Sequence, residues 1–284
     1  MSRMPTERLV ACSAAAGLAF TFGATPAGAV PINLVPYSSI VYDGTIGFDD
    51  QPIASGFSAD VNSVLALDGA SFGERFAGQT LGSQTITYTT YFNSMYNTEN
   101  EDHDTVTGTP GSPLTLVAGA PGQNLILTRV LTSSGYSPDH SLSGAGVPPF
   151  GFSVSTGSVA VLFDTDQSEF GFTLTGQGVY TYDAGRYITA AGTFMVDFLR
   201  RDGTLIDSEQ FQLPNDESVL QFGFRRDGGV ADIGGIVLTN LDPAGISYDD
   251  FRLTLAPTLV PEPPTALLVA LAGSLLALAR RRKA

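Results

Sequence analysis

From Gln84 to Leu255 the chain is a succession of short runs in which apolar and polar residues alternate, each closed by a turn rich in Gly, Asp or Pro. A period of two places successive side chains on opposite faces of an extended backbone, so each run reads as a strand with one face to bury. Gln84–Phe92 (QTITYTTYF) and Asn124–Leu131 (NLILTRVL) are two such runs. Ser158–Phe163 and Glu169–Thr175 form a pair around the polar turn Asp164–Ser168. Thr193–Arg200 and Thr204–Leu213 flank Arg201-Asp202-Gly203, and Asp-Gly readily supplies the positive φ of a tight hairpin. Val219–Phe224 and Val230–Leu238 repeat that arrangement around Asp227-Gly228-Gly229, and Ile246–Leu255 (ISYDDFRLTL) closes the series. Gly108–Pro113 and Ser133–Pro149, rich in Gly, Ser and Pro, read as long loops. The expectation is an all-β chain whose residues 30–257 form a single β-sandwich of jelly-roll type.

The two ends have a different texture. Arg3 and Arg8 flank a short polar segment, Leu9–Gly23 is small and apolar, and Ala27-Gly28-Ala29 gives an A-x-A cleavage site. Residues 1–29 are therefore expected to be a secretory signal peptide, cut by signal peptidase after Ala29. Residues 258–284 hold three consecutive blocks: Pro261-Glu262-Pro263, an apolar run Ala266–Ala279, and Arg280-Arg281-Arg282-Lys283. The prolines fix φ and lack an N–H, so they end any preceding strand. The apolar run, mostly Leu and Ala, would be a transmembrane helix about 21 Å long, short of a hydrocarbon core of roughly 30 Å. The basic cluster stays on the cytoplasmic side, which leaves the rest of the chain across the inner membrane.

This order of blocks resembles the PEP-CTERM sorting signal of proteins exported by Gram-negative bacteria, on the residues Pro261, Glu262, Pro263, the run 266–279 and Arg280–Lys283. The resemblance implies that the chain is an exosortase substrate, cleaved near the triplet and released to the cell surface or extracellular matrix. The segments Gly69–Gly78, Val161–Phe172 and Ile246–Leu253 also resemble the β-sandwich modules common in such proteins.

Removing both ends sharpens the composition. Cys12, the only cysteine, leaves with the signal peptide, so the mature chain has no disulfide. Eight of the fourteen Lys+Arg remain against twenty-six of the twenty-eight Asp+Glu, a charge of −18 on the body. Nucleic acid and anionic lipid, which need cationic surface, are poor partners for it; divalent cations are good ones.

Two acidic pairs stand out: Asp49-Asp50 after Ile46-Gly47-Phe48, and Asp249-Asp250 in the last run. Counting by twos puts Asp249 on the face of Phe251, Leu253 and Leu255, and Asp250 with Tyr248, Arg252 and Thr254 on the solvent face. First and last strands of a sandwich often neighbour each other, so hard oxygen ligands would converge there and suit Ca²⁺. The alternative is ordinary strand-end acids paired with Arg252 or capping turns. The closing Asp-Asp also resembles calcium-stapled jelly-roll and lectin-like modules, which implies that Asp249 or Asp250 holds a structural ion. Asn97–Asp104 (NTENEDHD) reads as a solvated loop, and the nearby Tyr88, Tyr91 and Tyr96 as a candidate sugar-stacking platform for extracellular polysaccharide. Enzyme signatures are sparse: His103 and His140, both in loop-like stretches, are the only histidines, and no His-Glu-x-x-His, Walker or dinucleotide motif is present. The expected role is structural or adhesive, with a carbohydrate-binding module as the alternative and a polysaccharide hydrolase or lyase behind both.

Overall fold

The computed structural model describes residues 31–53, 57–92, 95–132, 135–145, 156–175, 181–182, 186–188, 192–214, 219–243 and 245–255. The chain begins with strands β1 (Ile32–Val35), β2 (Gly44–Ile46), β3 (Ser58–Val61), β4 (Leu65–Leu67), β5 (Ala70–Gly73) and β6 (Arg75–Phe76). It continues through β7 (Thr80–Phe92), β8 (Met95–Thr107), β9 (Leu116–Val117), β10 (Leu125–Thr132), β11 (Gly135–Gly144), β12 (Val159–Gln167) and β13 (Glu169–Thr175). The last third holds β14 (Thr181–Tyr182), β15 (Arg186–Ile188), β16 (Thr193–Leu199), β17 (Leu205–Gln212), β18 (Leu220–Arg226), β19 (Ile233–Leu241) and β20 (Ser247–Leu253). The only helical pieces among the described residues are two short 3₁₀ turns, at Tyr37–Ser39 and Asp227–Gly229. The protein is all-β, as its alternating pattern predicts.

Two antiparallel sheets hold fourteen of the twenty strands among the described residues. One has the order β1-β18-β13-β20-β11-β10-β3, with β2 also bonded to β20; the other runs β17-β16-β19-β12-β5-β4. One apolar cluster draws Phe170, Phe172, Phe224, Tyr248, Phe251 and Leu253 from the first and Phe72, Val161, Phe163, Phe194, Val196 and Phe198 from the second. The two sheets therefore bury their inner faces against each other. Phe172 sits at the centre, its ring 5.4–6.3 Å from those of Phe194, Phe222, Phe224, Tyr248 and Phe251. Without Trp, the eighteen Phe supply most of the aromatic surface, at roughly 1.5–3 kcal/mol per buried side chain.

The outer face of the second sheet is covered as well. Phe76, Val106, Leu114, Ala160, Leu199 and Val237 form a smaller cluster there, so β19 (IGGIVLTNL) is buried at every position. Gly235 is needed in that layer: a Cβ would lie 2.7 Å from the Val161 carbonyl oxygen and 2.8 Å from the Phe76 ring. Across this face lies the hairpin β7–β8, thirteen residues per strand and paired throughout from Thr80↔Thr107 to Phe92↔Met95. Its base is fastened by Asp104 N–H to the Thr156 carbonyl, 3.0 Å, and by His103 Nδ1, which donates to the Asn240 carbonyl at 3.0 Å.

Several sequence expectations need correction. Asn97–Asp104 is not a loop but the middle of β8, and Ser133–Pro149 contains β11. Both histidines consequently lie in strands and are buried. Their polar, Gly-rich surroundings imitate loop composition, but cross-strand pairing satisfies the backbone all the same. Of the three expected strand pairs, β12 and β13 do not pair: β12 bonds β19 and β5, and β13 bonds β18 and β20. Likewise β18 and β19 belong to different sheets, with Asp227–Gly229 as the corner between them. A turn between two alternating runs looks the same in sequence whether the chain folds back within a sheet or crosses the core. Only Thr193–Arg200 and Thr204–Leu213 form the hairpin expected of them, as β16 and β17.

Candidate functional site

Strand β20 is the place where the chain's beginning and end meet. On one flank it carries β13, and on the other it is shared by β2 (Gly44↔Leu253, Thr45↔Arg252, Ile46↔Phe251) and by β11 (Leu142↔Tyr248). Between those two partners β20 is bulged: Gly171 and Thr173, two apart on β13, face Arg252 and Asp249, three apart on β20. Asp250 takes up the extra residue in the left-handed region, φ 48, a conformation that Asp tolerates better than most residues.

The bulge corrects the phase read from the sequence. Tyr248, assigned to the solvent face with Asp250, is 1% exposed and packs on Phe172, and Phe251 and Leu253 are also in the core. One inserted residue reverses the alternation, so Tyr248 and Phe251 both point inward and Asp249 is left half-buried at the rim. Asp250 is exposed, as expected.

Around the bulge the acids converge. The Asp249 carboxylate lies over Gly47, where a Cβ would be 3.6 Å from Oδ1, and it accepts the Asp250 N–H at 2.8 Å. In the turn after β2, Asp49 Oδ1 accepts the His140 N–H at 2.7 Å, and His140 Nδ1 donates to the Phe48 carbonyl at 3.3 Å. These bonds tie β11 to the first strands and bring its Asp139 to the same place. Burial first, then the charges of Asp250, Asp49 and Asp139, push the Asp249 carboxyl up to about 7, against the pull of the Asp250 N–H. Burial and the Asp49 charge also raise Asp250, which Arg252 partly offsets. Asp49, Asp50, Asp68 and Asp250 line one hollow of about 400 Å³ with Thr45 and Gln51. The four acids singled out in the sequence therefore sit together, joined by Asp68 and Asp139, which the sequence reading missed. Asp139 lies within Ser133–Pro149, whose Gly, Ser and Pro content resembles a loop.

Behind the acids the backbone is held by aromatic groups. Tyr37 donates its hydroxyl to the Asp250 carbonyl, 2.7 Å, and burial pushes that hydroxyl up to about 12, so it stays a donor. The Arg252 guanidinium lies between the Tyr37 and Tyr42 rings, 3.9 and 4.5 Å from their centroids. It is thus held against these rings beside the acids.

An all-oxygen donor set of like charges, with no nitrogen or sulfur ligand among the acids, is chemically suited to a hard cation. Among the described residues, however, no group of three or more His, Cys, Asp or Glu side chains is placed as a ready-made metal cage. Backbone carbonyls and waters would have to complete the shell, as Ca²⁺ sites allow.

The other sequence candidates fall elsewhere. Tyr88 is half-buried opposite Glu99, whereas Tyr96 is 72% exposed opposite Tyr91 near the hairpin tip. That register sets Tyr88 and Tyr96 on opposite faces of the ribbon, so these two tyrosines do not share one platform. Gly69-Ala70-Ser71-Phe72-Gly73 spells Gly-x-Ser-x-Gly. Ser71 is mid-strand in β5, paired with Leu162 and Ala66, not on the strand-to-helix elbow that activates such a serine. Ala27, Ala29, Pro261, Glu262, Pro263, Arg280, Arg281 and Arg282 lie outside the described residues. Among the described residues no helix is long and apolar enough to cross a membrane.

No family model matches the chain, and no curated protein does. Among solved structures, the enzymatically active domain of tailspike protein 4 from bacteriophage CBA120 is similar over 64% of this chain at 11% identity. The chain spans one fifth (20%) of that tailspike chain, and the TM-score of 0.25 is too low to carry an argument about fold or function.

Proposed function

We propose that this chain is an exported protein of the cell surface or extracellular matrix, with a structural or adhesive role. Its body is a single β-sandwich of jelly-roll type, delivered by a signal peptide and a PEP-CTERM tail acted on by exosortase, and stapled by Ca²⁺. The observation that carries the staple is the convergence of Asp49, Asp139, Asp249 and Asp250 where β2 and β11 meet the bulge of β20. A divalent ion there would offset two of the four negative charges that otherwise repel one another, and it would lock the first strands to the last. Asp249 or Asp250 would hold the ion beside Asp49 and Asp50, with backbone carbonyls and waters completing the shell. The motif-poor sequence and the mid-strand Ser71 support a non-enzymatic role.

Thermal unfolding of the full chain in EDTA and in millimolar Ca²⁺ tests the staple. The midpoint is expected to rise by several degrees with Ca²⁺, and equal midpoints sink the idea. For sorting, Glu262→Ala is expected to leave the tail attached in an exosortase-bearing host. Normal processing of that variant would make the tail a plain anchor.

A further inference from the structure

The acid-lined hollow is not the only depression on the surface. A second, of about 460 Å³, lies on the outer face of the other sheet, where the loop after β8 meets the β16–β17 turn. Its walls are Thr109 and Pro110 on one side and Thr204 and Leu205 on the other, with Asp197 and Gln79 also lining it. We propose that this hollow binds a neutral polyhydroxylated ligand, a sugar ring of an extracellular polysaccharide, with Asp197 accepting hydrogen bonds from its hydroxyls.

The two walls are pinned together. Leu114 N–H donates to the Arg201 carbonyl at 2.8 Å. Gly203, at φ 85, comes so near the opposite loop that a Cβ would lie 2.9 Å from the carbonyl oxygens of Pro110 and Gly111. Gln79 is buried and fixed by the Phe76 N–H, 3.0 Å from its Oε1. Such a depression exists before a ligand arrives, and its volume falls in the range of small-molecule sites.

Its chemistry is that of a sugar site. A carboxylate offers about four lone-pair positions, and among the described residues Asp197 accepts one hydrogen bond, from the Ser208 hydroxyl at 2.6 Å. Burial raises its carboxyl above the usual range, and the Ser208 bond only partly offsets this. Neighbouring hydroxyls of a pyranose would supply two donors. Leu205, 55% exposed, and Pro110 offer apolar surface for the C–H face of a ring, and Thr109 and Thr204 add hydroxyls. No Arg or Lys lines the hollow, which disfavours an anion, and no second acid does, which disfavours a compact cation. In this it is the opposite of the hollow lined by Asp49, Asp50, Asp68 and Asp250.

The sugar site itself depends neither on the calcium staple nor on the sorting tail; only the extracellular source of the sugar rests on the export proposed above. Its test is saturation-transfer NMR and calorimetry of the full chain with cellobiose, maltose, lactose and N,N′-diacetylchitobiose. At least one is expected to bind, with affinity reduced about ten-fold or more by Asp197→Asn at an unchanged unfolding midpoint. Leu205→Ser is expected to weaken binding less, and Asp250→Asn or EDTA not at all. Failure of all four sugars to bind, undiminished binding by Asp197→Asn, or displacement of the sugar by putrescine would each overturn it. Loss of binding in Asp250→Asn would place the sugar in the other hollow and overturn it too.

Discussion

At the scale of single residues, Asp249 shows how a fold can hold a charge against its own preference. Its carboxyl is pushed from 3.8 up to about 7 by burial and by three neighbouring carboxylates. A folded-state value above that of the unfolded chain means that the protonated form favours folding. That contribution is whole below about pH 4 and is lost as the pH rises through about 7. In EDTA, wild type is therefore expected to lose stability across that window, and Asp249→Asn, which cannot ionise, to lose less. The variant should be the more stable by on the order of 2 kcal/mol at pH 7.5, a figure reduced for the part of the carboxyl still hydrated. Urea unfolding at pH 4.5 and 7.5 measures this, and equal pH slopes for the two proteins would refute it. With Ca²⁺ the order is expected to reverse, because the ion needs the ionised group.

Among the elements, the β7–β8 hairpin is the one least determined by the core. Its upper rungs present polar pairs such as Thr85 to Asp102 at 2.6 Å and Thr87 to Asn100 at 2.7 Å, both exposed. Cross-strand pairs of this kind stabilise by only a few tenths to about 1 kcal/mol each. Its base, by contrast, is anchored by buried His103, whose Nδ1 reaches the Asn240 carbonyl and whose Nε2 lies 3.6 Å from a Glu101 oxygen. His103→Ala is expected to speed amide exchange along both hairpin strands while β12 and β19, buried in the layer beneath, stay protected. Uniform acceleration across all strands would mean that the hairpin is not a separate unit.

For the whole molecule, the test of a single shared core is Phe172. Its ring touches aromatic residues from both large sheets, so Phe172→Ala is expected to cost about 3–5 kcal/mol and to lower one cooperative transition rather than split it. Two separate transitions in calorimetry would show that the sheets unfold independently. The sequence by itself determined the all-β class, the β16–β17 hairpin and the acidity of the body. These follow from alternation, turn chemistry and charge, which are local or additive. Only the tertiary structure decided that β12–β13 and β18–β19 cross between sheets, that Asn97–Asp104 is strand, and that Asp139 joins the acids. It alone also revealed the bulge at Asp250, which turns Tyr248 into the core, and the hollow over Asp197. Each of these depends on which distant segment covers a given face or edge. A period of two records that a face is buried, but not by what.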